Sequence, residues 1–131
     1  MKNICIIPGL EKNIYSSKGD LVEWGDTSLI KWKISQAIES NVFDKIVISS
    51  PDKKIIKMAQ VENIEFLKRK TNKLNDLYNS AAKKFNKHNI IFLSTTFPFL
   101  SPENIKKCVS KFSNSRFKTG FTFIKKKNIF I

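Results

Sequence analysis

The residues best suited to chemistry lie in a loop near the start of the chain. Residues 8–27 include Gly9, Lys12, Ser16, Ser17, Lys18 and Gly19. Small residues let a backbone approach a ligand closely, and lysines cancel phosphate charge. The chemistry this suits is the holding of a phosphorylated small molecule. It is not a Walker loop, because Ser17-Lys18-Gly19 lacks the required glycine and Ser/Thr positions, and no GxGxxG run exists. A phosphate cradle and a solvated loop therefore both fit the residues. A second group is Arg69, Asp76 and Ser80. Asp76 and Ser80 are one helical turn apart and can share a face. Arg69 sits in Lys68-Arg69-Lys70, where a nucleotide contact and a solvated charge run are equally good readings. Thr96 and Pro98 can shape a turn. His88 is the one histidine, and Cys5 and Cys108 show no metal-ligand spacing, so no metal site is expected from the residues. Both cysteines stand among apolar neighbours and are expected to be reduced core residues.

The elements that must position these residues alternate in period. Residues 3–7 form an apolar run, hence a buried strand. Leu29, Ile30, Ile34, Ala37 and Ile38 fall on one face of a helix over 28–40, which Ser28 can cap. Ile46, Val47 and Ile48 mark a strand over 45–50, and Asp52 can cap a short helix with Ile55, Ile56 and Ala59 inward. A third strand is expected at 64–67. Leu74, Leu77, Tyr78, Ala81, Ala82 and Phe85 recur at helical spacing, and a fourth strand is expected at 90–93. Ser101-Pro102-Glu103 signals a helix start, with Ile105, Cys108, Val109 and Phe112 as its stripe. A last strand is expected at 119–124. Phe92, Phe121 and Phe123 read as core, and Trp24 and Trp32 as packing residues.

Apolar strands alternating with amphipathic helices give an α/β domain with a mostly parallel sheet and helices on both faces. One domain over 1–131 fits the length. Ligands in such sheets bind at the carboxyl ends of the strands, here after residues 7, 49, 67 and 93. The chain has no run of 18 apolar residues, so no membrane-spanning helix is expected, and the short apolar start lacks a cleavage site. A cytoplasmic protein is the expectation. The net charge is +13, and hydrophobic residues make up 41% of the chain. That charge suits an anionic partner. The scattered lysines equally fit a compositional origin, and no helix-turn-helix, RNP or zinc pattern supports nucleic-acid binding.

Ile6-Ile7-Pro8 and Leu29-Ile30-Lys31-Trp32 resemble the opening of the acylneuraminate and related CMP-sugar cytidylyltransferases, IIPARGGSKGIPGKN leading to LIEW, and stand at the same separation as in that family. Residues 37–50 resemble the family's ALESGLFDEVIVST. Arg69, Asp76 and Ser80 keep the spacing of its arginine, aspartate and serine. Residues 94–100 resemble its QPTSPLR turn, in which Thr96 and Pro98 match. The resemblance implies a three-layer, Rossmann-like nucleotidyltransferase fold, and CTP, Mg2+ and an acidic sugar as reactants. It implies nucleotide contacts at Pro8, Gly9, Arg69, Ser80 and Thr96, with Lys12 and Lys18 available from the loop.

The departures carry a second expectation. Leu10 and Ile14 stand where the family has its phosphate-loop arginine and lysine, and Asp20 where it has an asparagine. Ser94 and Leu100 replace the glutamine and arginine of the turn, and Pro51 the first acid of STDD. The family's chains are longer, and their later half supplies sugar contacts, dimer interface and a magnesium-binding aspartate. The expectation is a family protein with reduced or no activity, either a homo-oligomer or one of two separately encoded partners. The alternatives are a non-catalytic nucleotide-binding or interaction domain and, least favoured, a nucleic-acid-binding domain.

Overall fold

The computed structural model describes residues 2–14 and 16–115. Strand β1 (Asn3–Pro8) leads into the long loop, which contains a 3-10 turn at Gly19–Leu21 and a small hairpin of β2 (Glu23–Trp24) and β3 (Thr27–Ser28). Then come α1 (Leu29–Ser40), β4 (Lys45–Ser50), α2 (Lys53–Val61), β5 (Glu65–Lys68), α3 (Leu74–Lys84), β6 (Asn89–Phe92) and α4 (Pro102–Ser113). The main sheet has the order β5-β4-β1-β6, and all three of its pairings are parallel. The expected α/β architecture with a mostly parallel sheet is what forms. The strand expected at 119–124, with Phe121 and Phe123, lies outside the described residues.

Side-chain alternation along β1 divides the core in two. Cys5 and Ile7, with Ile48 of β4, face α1, α2 and α4 through Ile30, Ile34, Ala37, Ile55, Ala59, Ile105 and Val109. Ile4 and Ile6, with Val47, face α3 through Leu77, Ala81 and Phe85. Each such fully buried aliphatic side chain contributes about 1.5–3 kcal/mol. The placement of the helices follows from right-handed crossovers. The chain steps one way from β1 to β4 to β5, then returns past β1 to β6, which puts α3 on the opposite face.

Helix starts are well signalled. Ser28 Oγ accepts from Lys31 N at 3.4 Å, and Ser101 Oγ accepts from Asn104 N at 3.2 Å with Pro102 in the first turn. Asp52 differs from expectation. It occupies the N-cap position of α2, but its carboxylate caps nothing there and reaches back to the β1 loop. Strands β5 and β6 are displaced by one residue from the expected spans. Cys108 is exposed rather than in the core, because α4 presents only Ile105 and Val109 inward; Cys5 is buried as expected, and both thiols are free. Ile38, Leu74, Tyr78 and Phe92 are also exposed. Tyr78 and Phe92 meet edge to face, ring centroids 4.9 Å apart, on the side that, among the described residues, α3 covers. Among the described residues no helix is long and apolar enough to cross a membrane.

Candidate functional site

Strand order reverses between β1 and β6, so the crevice outside their carboxyl ends is where an open α/β sheet binds ligands. Two segments frame it: the loop after β1 and the turn after β6.

In the β1 loop, three successive backbone N–H groups are already committed. Gly9 N donates to Ser49 O at 2.9 Å. Leu10 N donates to Asp20 Oδ2 at 2.8 Å, and Glu11 N to Asp52 Oδ2 at 2.9 Å. Asp20 is 6% exposed, and its other oxygen accepts from Thr95 Oγ1 at 2.6 Å. One carboxylate thus ties the β1 loop to the β6 turn across the crevice. Gly19 makes this path possible. Its φ is +54°, and a Cβ there would overlap the Leu10 carbonyl and the Glu11 and Lys12 backbone.

The β6 turn is held from behind, by α1. Lys33 Nζ donates to Phe97 O at 2.7 Å; Trp32 Nε1 and Gln36 Nε2 donate to Pro98 O at 2.7 and 2.9 Å. Lys33 is fully buried. Burial pushes its ammonium down to about 8, opposed by the nearby Cys5. Burial pushes the Cys5 thiol well up, partly offset by Lys33. Trp24 packs edge-on against Phe99 of the turn, 5.6 Å between centroids. Trp32 is therefore both a packing residue and a donor.

The sequence-expected residues are only partly assembled. Pro8 ends β1 opposite Ser49, and Gly9 is buried with no room for a Cβ beside Ile30. Lys12 lines a cleft of about 430 Å3 with Glu11, Pro51, Asp52, Lys70, Thr71 and Asn72. Lys18 is exposed and lies 4.0 Å from Glu23. Arg69 is buried rather than part of a solvated run. Its Nε donates to Ser49 Oγ at 3.1 Å and its NH1 to Thr71 O at 2.7 Å. Burial lowers the guanidinium's pKa, and Asp52 and Asp76 oppose that shift. Asp76 accepts from Thr71 Oγ1 at 2.5 Å. Ser80 turns its hydroxyl onto its own helix, donating to Asp76 O and Leu77 O. Thr96 is exposed and bonds with Ser94, while its neighbour Thr95 reaches Asp20.

Lys33, Gln36 and Thr95 were not picked out from the sequence, and Asp20 only as a departure from a family position. Lys33 carried a readable signal: it falls between Ile30, Ile34 and Ala37 on the buried stripe of α1, so a cation there must be desolvated.

The donor set does not fit a magnesium ion. Asp20 uses both oxygens on Leu10 N and Thr95 Oγ1, and Asp52 Oδ2 is bonded to Glu11 N. No cluster of three His, Cys, Asp or Glu among the described residues is arranged to hold a metal.

Residues 20–129 match the cytidylyltransferase family. A pseudaminic acid cytidylyltransferase of Campylobacter jejuni is 28% identical over 133 residues, covering 92% of this chain and 57% of that protein. The chain thus spans little more than half the length of that relative. Among solved structures, a CMP:2-keto-3-deoxy-manno-octonic acid synthetase complexed with CTP superimposes with a TM-score of 0.74 at 11% identity, over 87% of this chain and 48% of that one. A cytidylyltransferase from Leptospira borgpetersenii gives 0.72 at 20% identity, over 88% and 50%. These similarities establish the same fold.

Proposed function

The chain belongs to the cytidylyltransferase family, and from that premise we propose that it is a nucleotide-sugar domain that takes a CTP-type nucleotide at the carboxyl end of its sheet and transfers the nucleotidyl group slowly or not at all. The observation that carries this reading is the state of the β1 loop. Nucleotidyl transfer joins an anionic nucleophile to a triphosphate, so its catalysis is positioning plus cancellation of charge. Leu10 and Ile14 stand at the positions where the resemblance implies an arginine and a lysine. Ile14 is 91% exposed, and neither side chain can donate a hydrogen bond. The N–H groups of Leu10 and Glu11, the donors left to compensate, are bonded to Asp20 and Asp52.

What remains is a cleft of mixed charge. Lys12 and Lys70 on its walls attract phosphate, and Asp52 and Glu11 oppose it. Arg69 acts beneath the cleft by fixing Ser49 to the 69–71 segment, a positioning role. Such a site binds nucleotide chiefly by long-range attraction, which salt screens within about 10 Å at 0.1 M.

Calorimetric titration with CTP, with and without magnesium, tests the reading. The expected result is weak binding that fades with salt and gains nothing from magnesium. Tight, magnesium-dependent binding at physiological salt would show that the loop is open and the site intact.

A further inference from the structure

We propose that Asp20 is a resident anion of the β1 loop, an autoinhibitory contact that a phosphate group must displace before the loop can bind it. The inference rests on the nucleotide reading above and specifies how that same site is regulated.

Successive backbone N–H groups at the mouth of a parallel strand form a concavity that favours anions. Here Leu10 and Glu11 supply two of them at the end of β1, beside the point where strand order reverses. Both N–H groups are satisfied by carboxylates, from 10 and 41 residues along the chain. Asp20 is 94% buried, by its 6% exposure, in a chain of net charge +13. Among the described residues no lysine or arginine forms a salt bridge with it. Among the described residues its side chain accepts from the Leu10 N–H and the Thr95 hydroxyl. That is how a bound anion is held in a backbone concavity. A buried aspartate is costly unless well bonded, and these bonds are its stabilisation.

The contact is also built to be released. Asp20 sits in a 3-10 turn of only three residues, between exposed Lys18 and half-buried Val22, and its backbone N–H donates to Leu10 O at 2.9 Å. The turn can stay attached through that backbone bond while the side chain rotates outward. The two positions of the carboxylate then correspond to a closed loop and a loop in which the Leu10 N–H is free. Like charges do not share one concavity, so ligand phosphate and Asp20 exclude each other.

Asp20→Asn separates charge from shape. The amide keeps an acceptor for Leu10 N and is nearly isosteric, but removes the negative charge. Inorganic triphosphate is the probe, added to the 15N-labelled 131-residue chain at low salt, with the Leu10 and Glu11 amide signals followed. The wild type should take up triphosphate diffusely on surface lysines without moving those two amides. Asp20→Asn should shift the Leu10 amide, the one Asp20 holds, and bind at least about tenfold tighter, the scale of one charge-assisted contact. Thr95→Val, which frees one oxygen but keeps the charge, should give the same shift with a smaller gain, and carries the test if Asp20→Asn fails to fold. A folded variant that binds no tighter than wild type, or leaves the Leu10 amide unmoved, overturns the proposal. Repeating the titration with CTP separates the two readings. Variants that bind triphosphate at Leu10 but show no preference for CTP uphold the resident anion and refute nucleotide selectivity. Wild type binding CTP as tightly as Asp20→Asn does the reverse.

Discussion

The two segments that frame the crevice are held in opposite ways. The β1 loop offers N–H groups, and the carboxylates of Asp20 and Asp52 fill them. The β6 turn offers carbonyls, and an ammonium, an indole and an amide fill them from the helix behind. The second arrangement is scaffold: α1 fixes Phe97 and Pro98 without entering the crevice. The first takes the donors a phosphate would use. Two bonds that occupy N–H donors and three that occupy carbonyls thus have unequal meaning, because only the first kind takes up groups that an anion would use.

The largest effect expected from breaking this comparison is at Gly19. Gly19→Ala must place a side chain at φ +54° and against the Leu10 carbonyl. A loss of about 3 kcal/mol is expected, strain plus overlap, or local unfolding of the loop while the sheet persists; urea unfolding and amide exchange distinguish the two. On the scaffold side, Trp32→Ala removes a half-exposed ring and one of two donors to Pro98 O. About 2 kcal/mol should be lost, with Leu10 and Glu11 exchange unchanged, because the β1 loop does not depend on that bond.

The third effect is on pH dependence. Lys33 has a folded pKa of about 8 against 10.5 in the unfolded chain. Between those values the unfolded state binds more protons, so stability rises with pH and the burial penalty, present in full below pH 8, is relieved. From pH 8 to 9 the gain is about 1 kcal/mol. Cys5 acts in the opposite sense. Its folded pKa is raised above the ordinary value of 9.0, so its contribution is complete below pH 9 and declines above. Denaturant midpoints of the wild type should therefore climb from pH 8 to 9 and flatten beyond. Lys33→Met should abolish the climb and Cys5→Ala the flattening. The smallest effect belongs to Ser80→Ala, whose hydroxyl serves only its own helix. It should alter stability by under about 0.5 kcal/mol and leave CTP binding unchanged; a clear loss of binding would return Ser80 to the site.

The architecture was legible because period and capping agreed. Ile46, Val47 and Ile48 between polar flanks gave β4 its bounds, and Ser28 and Ser101 marked where α1 and α4 begin. Exposure was less legible. Cys108, Ile38 and Tyr78 have core-like neighbours in sequence, but whether a helix face is covered depends on which crossover passes over it. The site was legible as a region and not as a set of contacts. Gly9 and Lys12 are where a ligand loop needs them, while Arg69 serves Ser49, and Ser80 serves its own helix. The bond from Asp20 to Thr95 joins residues 75 apart. No local pattern announces such a bond; it exists because β6 returns to the side of β1.

Self-association can be checked on the α3 side, where Tyr78 and Phe92 remain partly exposed. Sedimentation should find dimers or larger species at high concentration, and a monodisperse monomer would count against that expectation.

Pyrophosphate release from CTP in the presence of an acidic sugar and magnesium tests the central claim most directly. Loss of one electrostatic contact typically costs about 10²–10³ in rate, and Leu10 and Ile14 each stand for one. The predicted result is release indistinguishable from a reaction without the protein. Steady turnover, abolished by Lys12→Ala or Lys18→Ala, would contradict it, because the loop would then have re-routed its cations and opened the donors that Asp20 and Asp52 now fill.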